Sequence, residues 1–331
     1  MKKVVSILAI VLLCAGVSFA EFPERDITNV VVWAAGGGTD TCNRIVSAEM
    51  AKILGVNINV TNKTGGVGGS IGMSYVYNRP ADGYTICGLS ESCVTAGVQG
   101  GWDKKMDVWD IMIIAGSPDV LSVTPDSPYQ TLEELIEAAK KEPNAIKAGA
   151  SAAGSIHHLN LLALENGSGA KFNFIPYTGS APAQTAAMTG EVTVVVTSVA
   201  EQQQLLKGGK LRPLAMLTPD AFEIAGVGDI PSAFDPYPSL SEYLPISQAI
   251  GMAVKADTPD DVKQVIFDAF QQALETEAVK KWANDSYYVI SGKVGEEANA
   301  EFAKLESLFA WTLWELGAAK VNPEELGIPK P

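Results

Sequence analysis

The chain is poor in the residues that do chemistry. It has two histidines in 331 residues, and they are adjacent, His157 and His158, with no set of further ligands in view. The cysteines number four, at spacings that match no zinc motif. A metal centre is therefore not expected, and no cofactor motif stands out. No lysine followed by Ser or Thr closes a glycine loop, which excludes a Walker site. G-x-G-x-x-G is missing too, so the dinucleotide fingerprint is excluded. No G-x-S-x-G elbow marks a hydrolase nucleophile. Internal repeats, coiled-coil heptads and low-complexity tracts are also missing. Arginine is confined to Arg25, Arg44, Arg79 and Arg212, none of them in a glycine loop.

Basic charge is scarce. Lys and Arg number 24 against 38 acids, for a formal net charge of −14. Such a chain is a poor candidate for nucleic acid or anionic lipid. One apolar run stands at the start, from Val4 to Val17. It is too short for a membrane span and has no second hydrophobic segment behind it. With Lys2 and Lys3 before it and Ser18-Phe19-Ala20 after it, residues 1–20 read as an export signal cleaved after Ala20. Leu13 is too large to precede a lipidated Cys14. Losing the two lysines takes the charge from −14 to −16. The remaining length suits two domains.

What the chain has is glycine loops between strands and helices. Val30-Val31-Val32-Trp33 runs into Ala34-Ala35-Gly36-Gly37-Gly38-Thr39-Asp40, and a helical pattern follows. Backbone N–H groups and a positive helix end there face one point, which suits an anion. Val56–Val60 alternates as a strand, a second glycine loop spans 62–70, and Tyr84–Leu89 is a third strand ending in Ser90-Glu91-Ser92-Cys93. A second such set begins at Val120–Val123. There Thr131 and Glu134 form a capping box. The strand at 146–150 leads to Ser155 and a helix, and Phe172–Ile175 leads to Tyr177-Thr178-Gly179-Ser180-Ala181. The strand at 192–196 ends at Thr197-Ser198. Residues 221–245 read as a surface excursion, Ala249–Val254 as a returning strand, and the rest as helices. Thr258-Pro259-Asp260-Asp261 opens the first of these.

Alternating strands and helices argue for parallel sheets covered by helices. The C-terminal helices have no sheet of their own and return to the first. The expected architecture is α/β with two lobes, 21–120 with 250–331 and 121–249, joined by two crossings. The cleft between them is the expected ligand site.

These residues resemble the extracytoplasmic solute receptors of tripartite tricarboxylate transporters, the Bug family. Val31–Asp40 is similar to V-V-x-F-A-A-G-G-G-x-D, and Asn62–Gly72 to N-x-x-G-A-G-G-x-x-G. Pro80–Thr85 is similar to P-D-G-Y-T, and Gly154–Leu159 to G-T-S-x-H-L. Pro176–Ala183 is similar to P-Y-K-G-x-A-P-A, and Gly208–Ala215 to A-G-K-L-R-A-L-A. The resemblance implies a type II periplasmic-binding-protein fold, a periplasmic location and a small carboxylate ligand, with a two-component membrane permease as partner. It implies neither an enzyme nor a cofactor, and a monomer is expected.

The expected ligand contacts are Trp33, Ala35, Gly36, Gly37, Gly38, Thr39 and Asp40 on the first loop, and Ser90, Glu91 and Ser92 on the third. From the second lobe come Ser155, His158, Tyr177, Thr178, Gly179, Ser180, Ala181, Thr197 and Ser198. The chain departs from the family at Glu91, which repels a carboxylate unless a cation or a ligand amine pairs with it, and at Val196-Thr197-Ser198, where the family has Phe-Asp-Asn. An exported hydrolase and a receptor feeding a sensor kinase stay open as alternatives. Cys42 and Cys93 sit on loops expected side by side at the cleft mouth, as neighbouring strands of the type II fold would place them. An oxidising compartment would then favour a Cys42–Cys93 disulfide, leaving Cys87 packed alone.

Overall fold

The computed structural model describes residues 22–242, 244, 246 and 248–331. The export signal expected over 1–20, with Cys14, lies outside them. The first sheet collects β1 (Ile27–Val31), β2 (Ile58–Asn62), β3 (Thr85–Ser90) and β4 (Trp109–Gly116). Helix α1 (Gly38–Leu54) joins β1 to β2, and α2 (Ser70–Tyr77) joins β2 to β3. The strand order places β1 between β2 and β3. The chain therefore steps outward and then back, and right-handed crossovers put α1 and α2 on opposite faces.

After Ser117-Pro118 the chain enters the second sheet. Its elements are β5 (Asp119–Val123), α3 (Leu132–Lys141), β6 (Lys147–Ala150), α4 (Ile156–Ser168), β7 (Asn173–Pro176), α5 (Ser180–Met188), β8 (Val194–Ser198), α6 (Val199–Lys207) and β9 (Arg212–Met216). The order is β7-β6-β8-β5-β9. Helix α3 forms for legible reasons: Thr131 Oγ1 accepts the Glu134 N–H, and Glu134 accepts from Gln130 N at 2.7 Å. Leu132, Leu135, Ile136 and Ala139 give it one buried face, worth about 1.5–3 kcal/mol for each large side chain.

The stretch expected to be a surface excursion is partly folded. Strands β10 (Phe222–Ile224) and β11 (Gly228–Ile230) pair as a hairpin, and Ile224 and Ile230 are buried in the core beneath α5 and α6. Strand β12 (Ile250–Lys255) then returns to the first sheet, antiparallel to β3 and β4. Helices α7 (Asp260–Leu274) and α8 (Glu277–Asp285), a short β13 (Val289–Ile290) and α9 (Glu296–Glu315) complete that lobe. The N-cap of α7 is Pro259, with no side-chain cap bond, so Thr258 does not cap it as the sequence suggests. Among the described residues no helix is long and apolar enough to cross a membrane.

The second glycine loop proves to be packing. Gly69 has φ +74°, and a Cβ there would stand 2.7 Å from Val32 Cγ2. A Cβ at Gly72 would meet the same Val32, and one at Gly68 would meet the backbone of Ala96.

Candidate functional site

Three positive helix ends converge between the lobes: α1 from the first, α4 and α5 from the second. The first-turn amides of a helix have no intrahelical acceptor. The cavity at this point is lined by Trp33, Gly37–Thr39 and Ser90–Ser92 from lobe one. Lobe two contributes Ser151, His157, Gly179, Ser180 and Glu201, and the second crossing contributes Gln248. It measures ≈ 20 Å³, room for about one water. The lobes are closed upon one another.

Direct hydrogen bonds hold them. Glu201 Oε1 accepts the Gly38 N–H at 2.7 Å. Ser92 Oγ accepts the Ile156 N–H at 3.0 Å, and Thr178 O accepts the Ala34 N–H at 3.1 Å. Glu201 is fixed by its own helix, because its Oε2 accepts from Ser198 N and Ser198 Oγ in a capping box. A carboxylate of the protein thus occupies the cradle expected for the ligand.

The cradle loop is held from behind. Asp40 accepts from Gly36 N at 2.9 Å and from Arg44 Nε at 3.0 Å. Asn62 Nδ2 donates to Asp40 Oδ1 and to Trp33 O. Burial pushes the Asp40 carboxyl up, but these donors outweigh it and hold it below the usual range. Asp40 positions the loop and does not line the cavity.

His157 is the base in the cleft. Its Nδ1 lies 2.8 Å from Asp119 Oδ2, while Nε2 faces Ser180 Oγ at 3.2 Å and Glu201 Oε2 at 3.5 Å. Burial pulls the imidazolium down, but Asp119, with Glu201 and Glu91 near, carries it up to about 9. Glu91 is buried and accepts from Ser92 Oγ and Ala249 N, each at 2.7 Å. Burial raises its carboxyl above the ordinary range.

Several expected contacts fall elsewhere. His158, not His157, was the expected ligand histidine. The structure turns His158 into lobe two: its Nδ1 accepts from Gly154 N at 3.0 Å, and its ring stacks on Phe174 with centroids 3.9 Å apart. Burial pulls it down to about 4. Tyr177 points away and bonds Glu191. Ser155 caps α4 by accepting the His158 N–H. Thr197 accepts from Gln184, and Ser198 serves the capping box. Thr178 acts through its backbone carbonyl, Ala181 lies against Gly36, and Ala35 is exposed. Trp33 does line the cavity, with Nε1 donating to Ser90 Oγ at 3.1 Å.

The disulfide is also corrected. Cys42, Cys87 and Cys93 are all free and buried. Cys42 packs with Val46, Met50 and Phe270 on the α1 side of the sheet. Cys93 packs with Val32 and Met73 in the other core. Their loops share a sheet edge, but their side chains enter different layers.

His157, Glu201, Asp119, Ser151 and Gln248 are not among the contacts expected from the sequence. Only Glu201 had a local signal, the capping pattern Ser198-Val199-Ala200-Glu201.

Two α/β lobes, two crossings and a polar cleft between helix N-termini define a two-lobed solute-binding protein of the type II periplasmic-binding class. Its first sheet shows the arrangement: β12 comes back from the second lobe to lie between β3 and β4. Residues 42–293 match the tripartite tricarboxylate transporter family receptor, and the chain belongs to that family, whose relatives include Bug-named proteins. It is similar to the UPF0065 protein in the gbd 5′ region of Cupriavidus necator, 29% identical over 312 residues, with 91% of this chain and 90% of that one covered. In fold it is similar to the periplasmic binding protein BugD, with a TM-score of 0.78 at 24% identity over 91% of this chain and 100% of that one. The R. palustris protein Rpa4515, solved with adipate, gives a TM-score of 0.82 at 23% identity, again over 91% and 100%. The chain is a solute receptor and not an enzyme.

Proposed function

We propose that the receptor binds a small carboxylate in the interlobe cleft, outside the cytoplasm, and delivers it to a two-component membrane permease. The observation that carries this reading is the Glu201 carboxylate on the Gly38 N–H. A cradle that takes an internal carboxylate at 2.7 Å has the geometry for a ligand's. The cavity leaves no space for both, so ligand entry requires the lobes to part. Adipate in the similar Rpa4515 structure fits the chemical class without fixing the compound. Periplasmic location after cleavage near Ala20 follows from the expected signal.

Calorimetry on refolded, ligand-free receptor with a panel of small mono- and dicarboxylates tests the reading. At least one acid is expected to bind, and Gly37→Val is expected to abolish that binding with the circular dichroism unchanged. Binding confined to compounds without a carboxylate would overturn it.

A further inference from the structure

The charges in the cleft are lopsided. Glu91 and Glu201 line it, and His157 is the basic side chain among its lining residues. That one cation is already matched by Asp119, 2.8 Å behind it. A dicarboxylate would add two negative charges to a site that already holds two acids and has no free cation among its described lining residues.

A second feature is independent of those acids. Gln248 stands on the crossing just before β12, lines the same cavity and is 9% exposed. Its Oε1 is buried with no hydrogen-bond partner. An orphaned buried carbonyl is costly and calls for a donor. The adjacent Ala249 N–H is spent on Glu91 Oε2, and Trp33 Nε1 is spent on Ser90. Glu91, Glu201 and Gln248 therefore present acceptor oxygens to one small space, and that of Gln248 has no partner. A positively charged N–H group satisfies all three.

We propose that the ligand is a zwitterion whose ammonium is received by Glu91, Glu201 and Gln248, while its carboxylate takes the helix N-termini. This rests on the carboxylate reading above. Glu91, the departure from the family pattern, becomes the residue that sets ligand class.

The test compares matched skeletons on the refolded full receptor by thermal shift and calorimetry: glutamate against glutarate, 2-aminoadipate and 6-aminohexanoate against adipate, and 1,6-diaminohexane alone. An amino acid is expected to bind at least about ten-fold tighter than its nitrogen-free partner. Glu91→Gln should erase most of that preference. Gln248→Met, which keeps the bulk and removes the acceptor, should weaken the amino acid and spare the plain acid. Nitrogen-free acids binding as well as their amino partners would overturn the proposal and leave the carboxylate reading standing. Binding of the diamine alone would overturn both, and failure of every amino acid in the panel would overturn the proposal.

Discussion

Glu201 of α6 and Gly38 of α1, 163 residues apart in the chain, meet across the cleft at 2.7 Å. A hydrogen bond to a charged group contributes about 1.5–3 kcal/mol, roughly a ten- to hundred-fold bias toward closure. Glu201→Ala removes it together with half of the capping box, itself worth about 1 kcal/mol. The variant is expected to show a larger radius of gyration than wild type without ligand, by small-angle scattering, and a lower Tm. Equal radii would mean that the lobes are held by other contacts.

The two glycines of the cradle should differ. A Cβ at Gly38 would stand 2.8 Å from both Glu201 Oε1 and Tyr288 Oη, and 3.0 Å from Ile250 Cδ1. At Gly37 the nearest atom is 3.5 Å away. Gly38→Ala should cost about 1–3 kcal/mol by overpacking, with Gly37→Ala costing clearly less in the same denaturant titration. Reversal of that order would count against the closed geometry.

The adjacent histidines titrate in opposite senses. His157 is held up at about 9 in the fold, against about 6.5 unfolded. Its contribution is full below pH 6.5 and is lost as pH rises through 9. His158 is pulled down to about 4, so its contribution is present above pH 6.5 and lost as pH falls through 4. The groups facing His157 are Asp119, Glu201 and Glu91; His158 is stacked on Phe174. The Tm gap between wild type and His157→Gln should narrow from pH 6.5 to 9, and the gap for His158→Gln from pH 6.5 to 4. Gaps that stay constant with pH would refute these assignments.

Thiol chemistry gives a fourth check. Burial pushes Cys42 and Cys87 well above the ordinary thiol range and Cys93 up to about 12. Native receptor should resist alkylation, and denaturation without reductant should expose three thiols. A mass two units low in the non-reduced protein would restore the disulfide.

The first loop was legible because its signals are local: an apolar run, three glycines, then a helical period. The α9 region has no strands of its own in the sequence, which leaves it the first sheet to cover. Strand β4 is not among the strands expected from the sequence. Its Ile111–Ala115 stretch is buried throughout and is a continuous apolar run without alternation, a pattern that periodicity alone does not separate from a buried helix segment. The choice between His157 and His158 turned on how α4 docks, since neighbours on a helix point about 100° apart. Sheet-edge proximity brings Cys42 and Cys93 together but does not encode the face each side chain enters. Glu201 reaches the site only when two lobes close, and no local pattern encodes that.

Asp119 is the residue that follows Ser117-Pro118, where the chain passes from the first sheet to the second, and it is also the partner of His157. One residue therefore stands at the entry to the second sheet and behind the charge of the binding site. A change at 119 would strip His157 of its charge partner and Asn160 Nδ2 of its acceptor at once, so it is a poor place for drift or redesign. Glu91 and Gln248, which sit beside the end of β3 and the start of β12, line the cavity without a hydrogen bond to Asp119 or His157. New ligand preferences on this scaffold should arise there first.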